Sequence, residues 1–297
     1  DYLDANVINS AYHFQKSRLI EDDNISVVDF RYDMQRVEHL TVTNEGTLQD
    51  VLSYRNEHDL KNLRAICLYD LKTQNISNNI FPEFDFLKEL EFNYCMIKEA
   101  KDYYFQGLIQ LEKLVLYETE FYVVSRGFLN GIYSLQNLKI YNNQLGLKNR
   151  INEFCSTIDQ KTFTDNENLI SLDLENTLVQ QINDFAFENL TFLNTIRLIG
   201  NNIKIITKNT FTGLVNLIIL NLSKNQISTI EYNSFISLGK LEELDLSSNF
   251  ISNVESRMFN GLVKLKFLDL SKNRILNIDD NMYELFKNCT INLMDRN

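Results

Sequence analysis

Proline and glycine are scarce in this sequence, which has one proline and nine glycines among 297 residues. Flexible linkers and disordered tracts are usually rich in these residues, so neither is a major component of the chain. The four cysteines are too sparse for a small disulfide-dense scaffold. No run of about 18 apolar residues occurs, so no segment of this sequence is expected to insert into a membrane. A hydrophobic content of 44% is nevertheless enough for a large core.

Positive charge is also in deficit, because the formal net charge is −11 and the basic residues are scattered. Nucleic acids and anionic lipid surfaces would be repelled, so we expect no nucleic-acid partner. The three histidines, His13, His39 and His58, share no metal-ligand spacing. Phosphate-binding and nucleophile motifs are missing as well. The sequence therefore predicts a protein that is not an enzyme and that uses no metal and no cofactor.

A repeat of 24 residues dominates the sequence. Its pattern is L-x-x-L-x-L-x-x-N-x-I, as in Leu217–Ile227, and we number the first leucine as position 1. Each repeat predicts one short parallel strand with its leucines inward, followed by a return segment. The frame begins at Leu63, Leu87, Leu111, Leu135, Leu169, Leu193, Leu217, Leu241 and Leu265. A phenylalanine precedes most of these starts by six residues and is expected to fill the convex side: Phe81, Phe105, Phe163, Phe187, Phe211, Phe235 and Phe259.

This pattern resembles the typical 24-residue class of leucine-rich repeats, including its F-x-G-L return segment at Phe211–Leu214 and Phe259–Leu262. Toll-type receptor ectodomains and the innate-immune leucine-rich proteins of insects belong to this class. The resemblance implies an α/β-type repeat solenoid, a horseshoe with a parallel β-sheet on its concave face and irregular or short helical return segments. It also implies an extracellular, non-enzymatic protein that binds another protein.

Departures from the period predict the domain organisation. Residues 1–62 are expected to form an N-terminal cap with degenerate first strands, including a hairpin across Tyr32–Gln35, and residues 63–297 the solenoid. Leu135 and Leu169 are 34 residues apart, which places an insertion at about 146–159. The last repeat is incomplete, with Cys289, Asn292 and Met294 expected at its core positions. Cys67 and Cys95 are predicted to lie too far apart for a disulfide.

Function is expected on the concave face, because positions 2, 3, 5, 7 and 8 of each strand are not needed by the core. The late repeats carry short residues there, such as Ser223 and Ser247, which we expect to be exposed. The early repeats carry tyrosines, and tyrosine is enriched at binding hot spots. The predicted partner-binding residues are Tyr69, Tyr94, Tyr117, Tyr141, Lys113, Lys139 and Arg197. Alternatively, the tyrosines stack across neighbouring strands for stability alone.

Three functional interpretations remain open at this stage. The chain is a recognition or scaffold module in innate immunity or signalling, an adhesion protein that binds its own kind, or a microbial surface or effector protein that contacts a host. N-x-S/T sequons are about as frequent as chance predicts, so an extracellular location rests on the repeat class instead. The candidate glycosylation sites are Asn24, Asn75, Asn189, Asn221 and Asn288.

Overall fold

The computed structural model describes residues 38–43, 62–71, 81, 84–142, 151–152 and 156–294. Within them, one parallel sheet of eleven strands runs through the molecule. Its strands are β1 (His39–Val42), β2 (Ala65–Tyr69), β3 (Glu89–Asn93), β5 (Lys113–Tyr117), β7 (Asn137–Tyr141), β10 (Ser171–Glu175), β12 (Thr195–Arg197), β14 (Ile219–Asn221), β16 (Glu243–Asp245), β18 (Phe267–Asp269) and β20 (Thr290–Asn292). The fold is a leucine-rich-repeat horseshoe with this sheet on its concave face.

Where they are described, the return segments add short parallel strands, turns and little helix. The return strands are β4 (Met96–Ala100), β6 (Glu120–Val124), β8 (Ile151–Asn152), β9 (Thr157–Ile158), β11 (Gln181–Ile182), β13 (Ile205–Ile206), β15 (Thr229–Ile230), β17 (Asn253–Val254) and β19 (Asn277–Ile278). Within the described residues, a 3-10 helix spans Ser256–Phe259 and an α-helix, α1, spans Asn281–Leu285. The predicted irregular or short helical return segments are thus confirmed.

The core follows the 24-residue period. Successive side chains of a strand point to opposite faces, so positions 4 and 6 face inward together. Leu220 and Leu222 are fully buried, as are their equivalents Leu244 and Leu246. The return-segment phenylalanines are buried on the other side of these leucines. In the C-terminal half they stack ring on ring, with centroids 5.7–6.5 Å apart from Phe163 through Phe187, Phe211 and Phe235 to Phe259.

Each strand ends in a left-handed turn at position 8. The φ angles there are positive in all nine regular repeats, between 45° and 69°, at Asp70, Tyr94, Glu118, Asn142, Asn176, Gly200, Lys224, Ser248 and Lys272. This conformation is costly for residues other than glycine, asparagine and aspartate. It turns the chain away from the sheet, and position 9 consequently points into the core.

Asparagine at position 9 satisfies the backbone where the strand turns. Asn249 donates from Nδ2 to the carbonyls of Leu222, Leu246 and Ser247, and its Oδ1 accepts from the Ile227 N–H. Asn201, Asn225 and Asn273 make equivalent bonds. In earlier repeats the Thr119 hydroxyl and the Cys95 thiol donate to the corresponding carbonyls. The inward role predicted for position 9 is confirmed.

The insertion lies in the return segment of the Leu135 repeat. The register offset is 34 residues at Tyr141 and Glu175, on β7 and β10, but only 24 at Thr157 and Gln181. The ten extra residues therefore lie between 142 and 157. Ile151, at the start of β8, pairs with β6 on the N-terminal side, whereas β9 pairs with β11 on the C-terminal side. The main sheet continues without interruption across this segment.

The two ends of the sheet differ in how well they were predicted. Leu40 and Val42 are buried on β1, which pairs with β2, whereas the expected hairpin across Tyr32–Gln35 lies outside the described residues. The expected register of the last strand is wrong by one residue. Ile291, not Asn292, lies opposite Leu268, and it packs against the core. A shift of one residue exchanges the two faces of a strand, and only this register turns the apolar side chain inward.

Candidate functional site

Four tyrosines form a continuous row of ring contacts across the N-terminal part of the concave sheet. Ring centroids are 5.4 Å apart between Tyr69 and Tyr94, 5.3 Å between Tyr94 and Tyr117, and 6.4 Å between Tyr117 and Tyr141. We call these four residues the tyrosine ladder. Tyr69 and Tyr94 are 46% and 43% exposed, and the other two are half-buried. The structure thus brings together the four tyrosines predicted from sequence.

Tyr94 belongs to the ladder although it occupies a different position in its repeat from Tyr69 and Tyr117. Tyr69 and Tyr117 lie at position 7, and the residue between them in register is Asn93. Tyr94 follows at position 8 with a φ of +57°. Its ring fills the gap between its two neighbours, in edge-to-face contact with both. Asn93 meanwhile donates to the Cys67 sulfur over 3.2 Å.

Lys113 is the first of the predicted basic residues, and it lies between two carboxylates of the adjacent strand. Its Nζ is 2.8 Å from Glu91 Oε1 and 3.1 Å from Glu89 Oε2. Burial alone lowers the pKa of Lys113, but the hydrogen bonds and charges of Glu91 and Glu89 outweigh it and raise the pKa above its ordinary value. Lys113 is therefore held in place as an ammonium ion and leaves an excess of negative charge around it.

The other two predicted basic residues flank a buried carboxylate. Lys139, Asp173 and Arg197 are register neighbours at position 5 of β7, β10 and β12. Asp173 is only 4% exposed, and its Oδ2 accepts a hydrogen bond of 2.9 Å from the Tyr141 hydroxyl. Within the described residues, its Oδ1 has no hydrogen-bond partner. Burial raises the pKa of Asp173, although Tyr141 and Arg197 act in the opposite direction.

Asp173 is the site residue that the sequence did not single out. It occupies position 5 of an L-D-L strand, and aspartate at that position is common in the late repeats. Its position between Lys139 and Arg197 could have identified it. That position is apparent only when the ten inserted residues are removed from the alignment of the repeats. Asp173 connects the tyrosine ladder to the charged residues of β7 and β12.

The C-terminal strands offer a different surface, in which the polar side chains bond to one another. Asn221 Nδ2 donates to Asp245 Oδ2 over 3.0 Å, and Asn292 donates in the same way to Asp269. Ser223 was expected to be exposed, and this is wrong. It is buried, and its hydroxyl donates to Asn221 Oδ1 over 2.7 Å. Ser247, the equivalent residue of the next repeat, was also expected to be exposed and is half-buried.

The candidate glycosylation sites differ in their surroundings. Asn189 and Asn288 are exposed. Asn221 is half-buried on the concave face, where its amide is engaged by Asp245 and Ser223. Asn24 and Asn75 lie outside the described residues. Of the three sequons that the structure describes, Asn189 and Asn288 are thus the ones that a glycan would reach without breaking the side-chain hydrogen bonds seen at Asn221.

The same part of the chain offers neither a metal site nor a membrane span. Among residues 38–43, 62–71, 81, 84–142, 151–152 and 156–294, no group of three or more His, Cys, Asp or Glu side chains converges as a metal site would. No helix in these ranges has the length and apolarity needed to cross a bilayer. Cys67, Cys95 and Cys289 are free thiols. The disulfide between Cys67 and Cys95 that the spacing argued against is not formed.

Solved structures with the same fold include receptors and a bacterial protein. Toll-like receptor 13, in a complex with the single-stranded RNA ssRNA13, superposes with a TM-score of 0.74 at 22% identity, over 91% of this chain and 38% of the receptor. Drosophila Toll, in a complex with Spatzle, gives 0.68 at 18% identity, over 91% and 38%. An internalin (inlF) from Listeria monocytogenes gives 0.61 at 19% identity, over 92% and 78%. The chain thus spans well under half the length of the two receptor chains.

The sequence comparisons place the chain in a family. No curated protein matches the sequence. The family model described as the BspA type leucine-rich repeat region matches residues 58–158 and 156–292, in six copies. These ranges contain the regular strands and the return segments described above, and they cover most of the chain. The chain belongs to the BspA-type leucine-rich repeat family.

Proposed function

We propose that this chain is a non-enzymatic, protein-binding module of an extracellular recognition or scaffold protein that acts in innate immunity or signalling, and that the tyrosine ladder carries the contact. The observation that supports the proposal is the continuous row of four tyrosines on a concave sheet face. Tyrosine rings contribute a large rigid contact area and a polar tip at little cost in side-chain entropy. Buried aromatic anchors dominate the energetics of most protein interfaces.

A purely stabilising role accounts less well for these tyrosines. Strands β14, β16 and β18 pair in the same sheet with serine, not tyrosine, at position 7. The sheet therefore does not require stacked rings at that position. Tyr69 and Tyr94 also keep more than two fifths of their surface exposed, which a stacking role alone would not need.

The charge of the chain favours a protein over a nucleic acid as its partner. The net charge is −11, and the excess of carboxylates extends to the strands that carry the ladder. Toll is described in a complex with a protein, Spatzle, and Toll-like receptor 13 in a complex with RNA. A phosphate backbone would meet the carboxylates of Glu89, Glu91 and Glu118 on this face, which opposes RNA binding here.

The extracellular setting rests on the repeat class and on the likeness to receptor ectodomains. Exposed sequons at Asn189 and Asn288 are compatible with it. The listerial internalin has the same fold, and it keeps the microbial surface or effector interpretation in contention. Separation of the source cells from their medium, followed by glycan analysis of the protein in both fractions, tests the extracellular setting. Occupied Asn189 or Asn288 supports secretion, whereas unmodified protein retained inside the cell contradicts it.

Self-association is the second candidate, and one surface supports it. Ile170 and Phe192 line a groove of about 390 Å³ on the flank of the solenoid, together with the polar side chains of Gln110, Glu112, Ser134, Gln136 and Asn168. Phe192 is 59% exposed there. A second copy of the chain that covered this flank would bury these apolar side chains. Sedimentation equilibrium of the wild type and of Phe192→Ala distinguishes a dimer that needs this flank from a monomer.

Selection from a random peptide library on the immobilised protein tests the ladder directly. Peptides selected on the wild type are titrated against Tyr117→Ala, with Tyr133→Ala as the matched control, because Tyr133 is 56% exposed and lies outside the ladder. Loss of a central aromatic anchor should weaken binding about thirtyfold, whereas the control should change it little. Peptides that bind both variants equally would place the interaction elsewhere.

A further inference from the structure

Two carboxylates flank the tyrosine ladder without being neutralised. Asp70 and Glu118 occupy position 8 of their repeats, and Tyr94 occupies position 8 of the repeat between them. Within the part of the chain that the structure describes, neither carboxylate forms an ion pair. Both therefore remain available to a cationic group that approaches the ladder.

The charges around these two carboxylates largely cancel, so the negative charge beside the ladder comes from Asp70 and Glu118. At positions 2, 3, 5, 7 and 8 of the repeats that carry β2, β3, β5 and β7, the structure places five carboxylates and four cationic groups: Asp70, Glu89, Glu91, Glu112 and Glu118, and Arg64, Lys88, Lys113 and Lys139. Lys88 pairs with Glu112, and Lys113 pairs with Glu89 and Glu91. The face is thus negative by one charge where the tyrosines lie.

The acidic residues of the late strands are engaged differently. Asp245 accepts from the Ser247 N–H and from Asn221 Nδ2. Asp269 accepts from the Ser271 N–H and from Asn292 Nδ2. Both oxygens of each carboxylate are therefore used by the fold itself. On the late strands the exposed Glu243 lies opposite the Phe267 ring, but the row of contacting tyrosine rings beside carboxylates without ion pairs lies on the early strands.

The phenol of Tyr117 remains protonated at physiological pH. The hydrogen bond to Tyr94, followed by burial and the Glu118 carboxylate, raises the pKa of Tyr117 to about 12. A neutral phenol ring has a negative π-face that attracts ammonium and guanidinium groups within about 6 Å of its centroid. Rings and carboxylates side by side are the combination that stabilises a partly desolvated cation.

Resting on the proposed function, we propose that the tyrosine ladder recognises a basic segment of a protein partner, whose arginine or lysine side chains lie over the tyrosine rings and against Asp70 and Glu118. The ladder has four rings on neighbouring repeats, at a strand spacing of about 4.8 Å. It is long enough for several side chains of one extended segment. Charge complementarity makes the site selective for basic segments, and contact of the cations with the ring faces adds to the affinity.

A synthetic peptide of alternating arginine and serine, labelled with fluorescein, is the probe, and a peptide of alternating glutamate and serine is its counterpart. The arginine peptide should bind the wild type, and more weakly as salt is raised. Tyr117→Ala should weaken binding about tenfold, because the cation loses a ring face. Glu118→Gln should weaken it several-fold, whereas Glu243→Gln, an exposed carboxylate on β16, should leave it unchanged.

The controls distinguish recognition by the tyrosine ladder from the general attraction of a basic peptide to an acidic protein. Equal losses in Glu118→Gln and Glu243→Gln, or an affinity that does not depend on Tyr117, would overturn it. The peptide selection described under the proposed function supplies the second distinction. Selected peptides that need Tyr117 but are acidic or apolar would leave the proposed function in place and remove this inference. Selected peptides that ignore Tyr117 would remove both.

Discussion

The Tyr141 hydroxyl donates a hydrogen bond of 2.9 Å to Asp173 Oδ2, although 32 residues separate the two in sequence. They meet because β7 and β10 are adjacent strands of the main sheet. Burial raises the pKa of Tyr141, and the neighbouring Asp173 carboxylate raises it further. The last ring of the ladder is therefore fixed in place by a carboxylate that is itself buried.

The first prediction concerns that hydrogen bond. Tyr141→Phe removes the donor and leaves the buried Asp173 carboxylate without it, which should lower the free energy of unfolding by about 1–3 kcal/mol. Tyr69→Phe is the matched control, since it removes an exposed hydroxyl and should change stability by less than about 0.5 kcal/mol. Urea titrations of both variants measure the effect. Equal values would mean that the bond contributes nothing.

The second prediction concerns pH. The folded-state pKa of Asp173 is raised above 3.8, so its contribution to stability is present below that pH and is lost as the pH rises through the folded value. Asp173→Asn keeps an acceptor for Tyr141 and removes the charge. The unfolding free energy of the variant relative to the wild type should therefore increase from pH 3.5 to pH 7.

Asp184 supplies a control of the opposite sign. Hydrogen bonds from Thr207 and Asn209 lower its pKa, so its contribution is present above 3.8 and is lost as the pH falls through the folded value. Asp184→Asn should therefore lose stability relative to the wild type over the same rise in pH. Parallel pH profiles for the two variants would contradict the burial assigned to Asp173.

The third prediction concerns the asparagines at position 9. Asn249→Ala deprives three carbonyls and the Ile227 N–H of their buried side-chain partner, and it should cost about 3 kcal/mol. Asn253→Ala, four residues later and exposed, should stay within about 0.5 kcal/mol. Chemical denaturation compares the two. A cost for Asn253→Ala as large as that for Asn249→Ala would show that the register of this repeat is misassigned.

The fourth prediction concerns two glycines. Gly213 has a φ of +95°, and a Cβ there would lie closer to the Glu188 carbonyl oxygen than atoms can approach. Gly213→Ala should cost about 2 kcal/mol or more through backbone strain alone. Gly239 has no heavy atom within 4 Å of the added methyl group, so Gly239→Ala should be neutral or stabilising by up to about 1 kcal/mol. Melting temperatures rank the two variants, and the reverse order would refute the geometry of the return segment.

The fifth prediction concerns the thiols. Burial raises the pKa of both Cys67 and Cys95 to about 11, from 9.0. Because the thiolate is the reactive form, both thiols should react with DTNB at pH 8 on the order of a hundredfold more slowly in the folded protein than in urea. The Cys155→Ser variant is used, so that the cysteine outside the described residues does not obscure the result. Rapid labelling of two thiols under native conditions would contradict their burial.

Most of the fold follows from the period of the sequence. The leucines at positions 4 and 6, the phenylalanines of the return segment and Asn249 with its equivalents all lie where the 24-residue frame predicts. In a solenoid, each repeat packs against its neighbours through equivalent side chains. The core residues therefore recur with the same period as the strands, and they can be identified from that period in the sequence.

The features that escaped prediction depend on single residues. The burial of Ser223 depends on how sharply the chain turns after a three-residue strand. The register of β20 depends on whether Ile291 or Asn292 faces the core in a repeat one residue shorter than the rule. The role of Asp173 depends on which strands become neighbours across an insertion. The period of the hydrophobic residues predicts none of these three features, because each involves a polar side chain or a local change in repeat length.

The registers of the main sheet also bear on how the chain reaches this structure. Every strand pairs with one that lies only 23 to 34 residues away along the chain. The loop closed by each new pairing is therefore short, and the entropy lost in closing it stays nearly constant however many repeats follow. Folding can begin at any well-packed pair of repeats and extend in both directions, so its rate is set by that first pair and not by the length of the solenoid. The repeats from Leu193 to Leu265 carry the stacked phenylalanines and the hydrogen-bonded asparagines at position 9, so we expect folding to begin there. The strands that carry the tyrosine ladder would then pair with the edge of a sheet that has already formed.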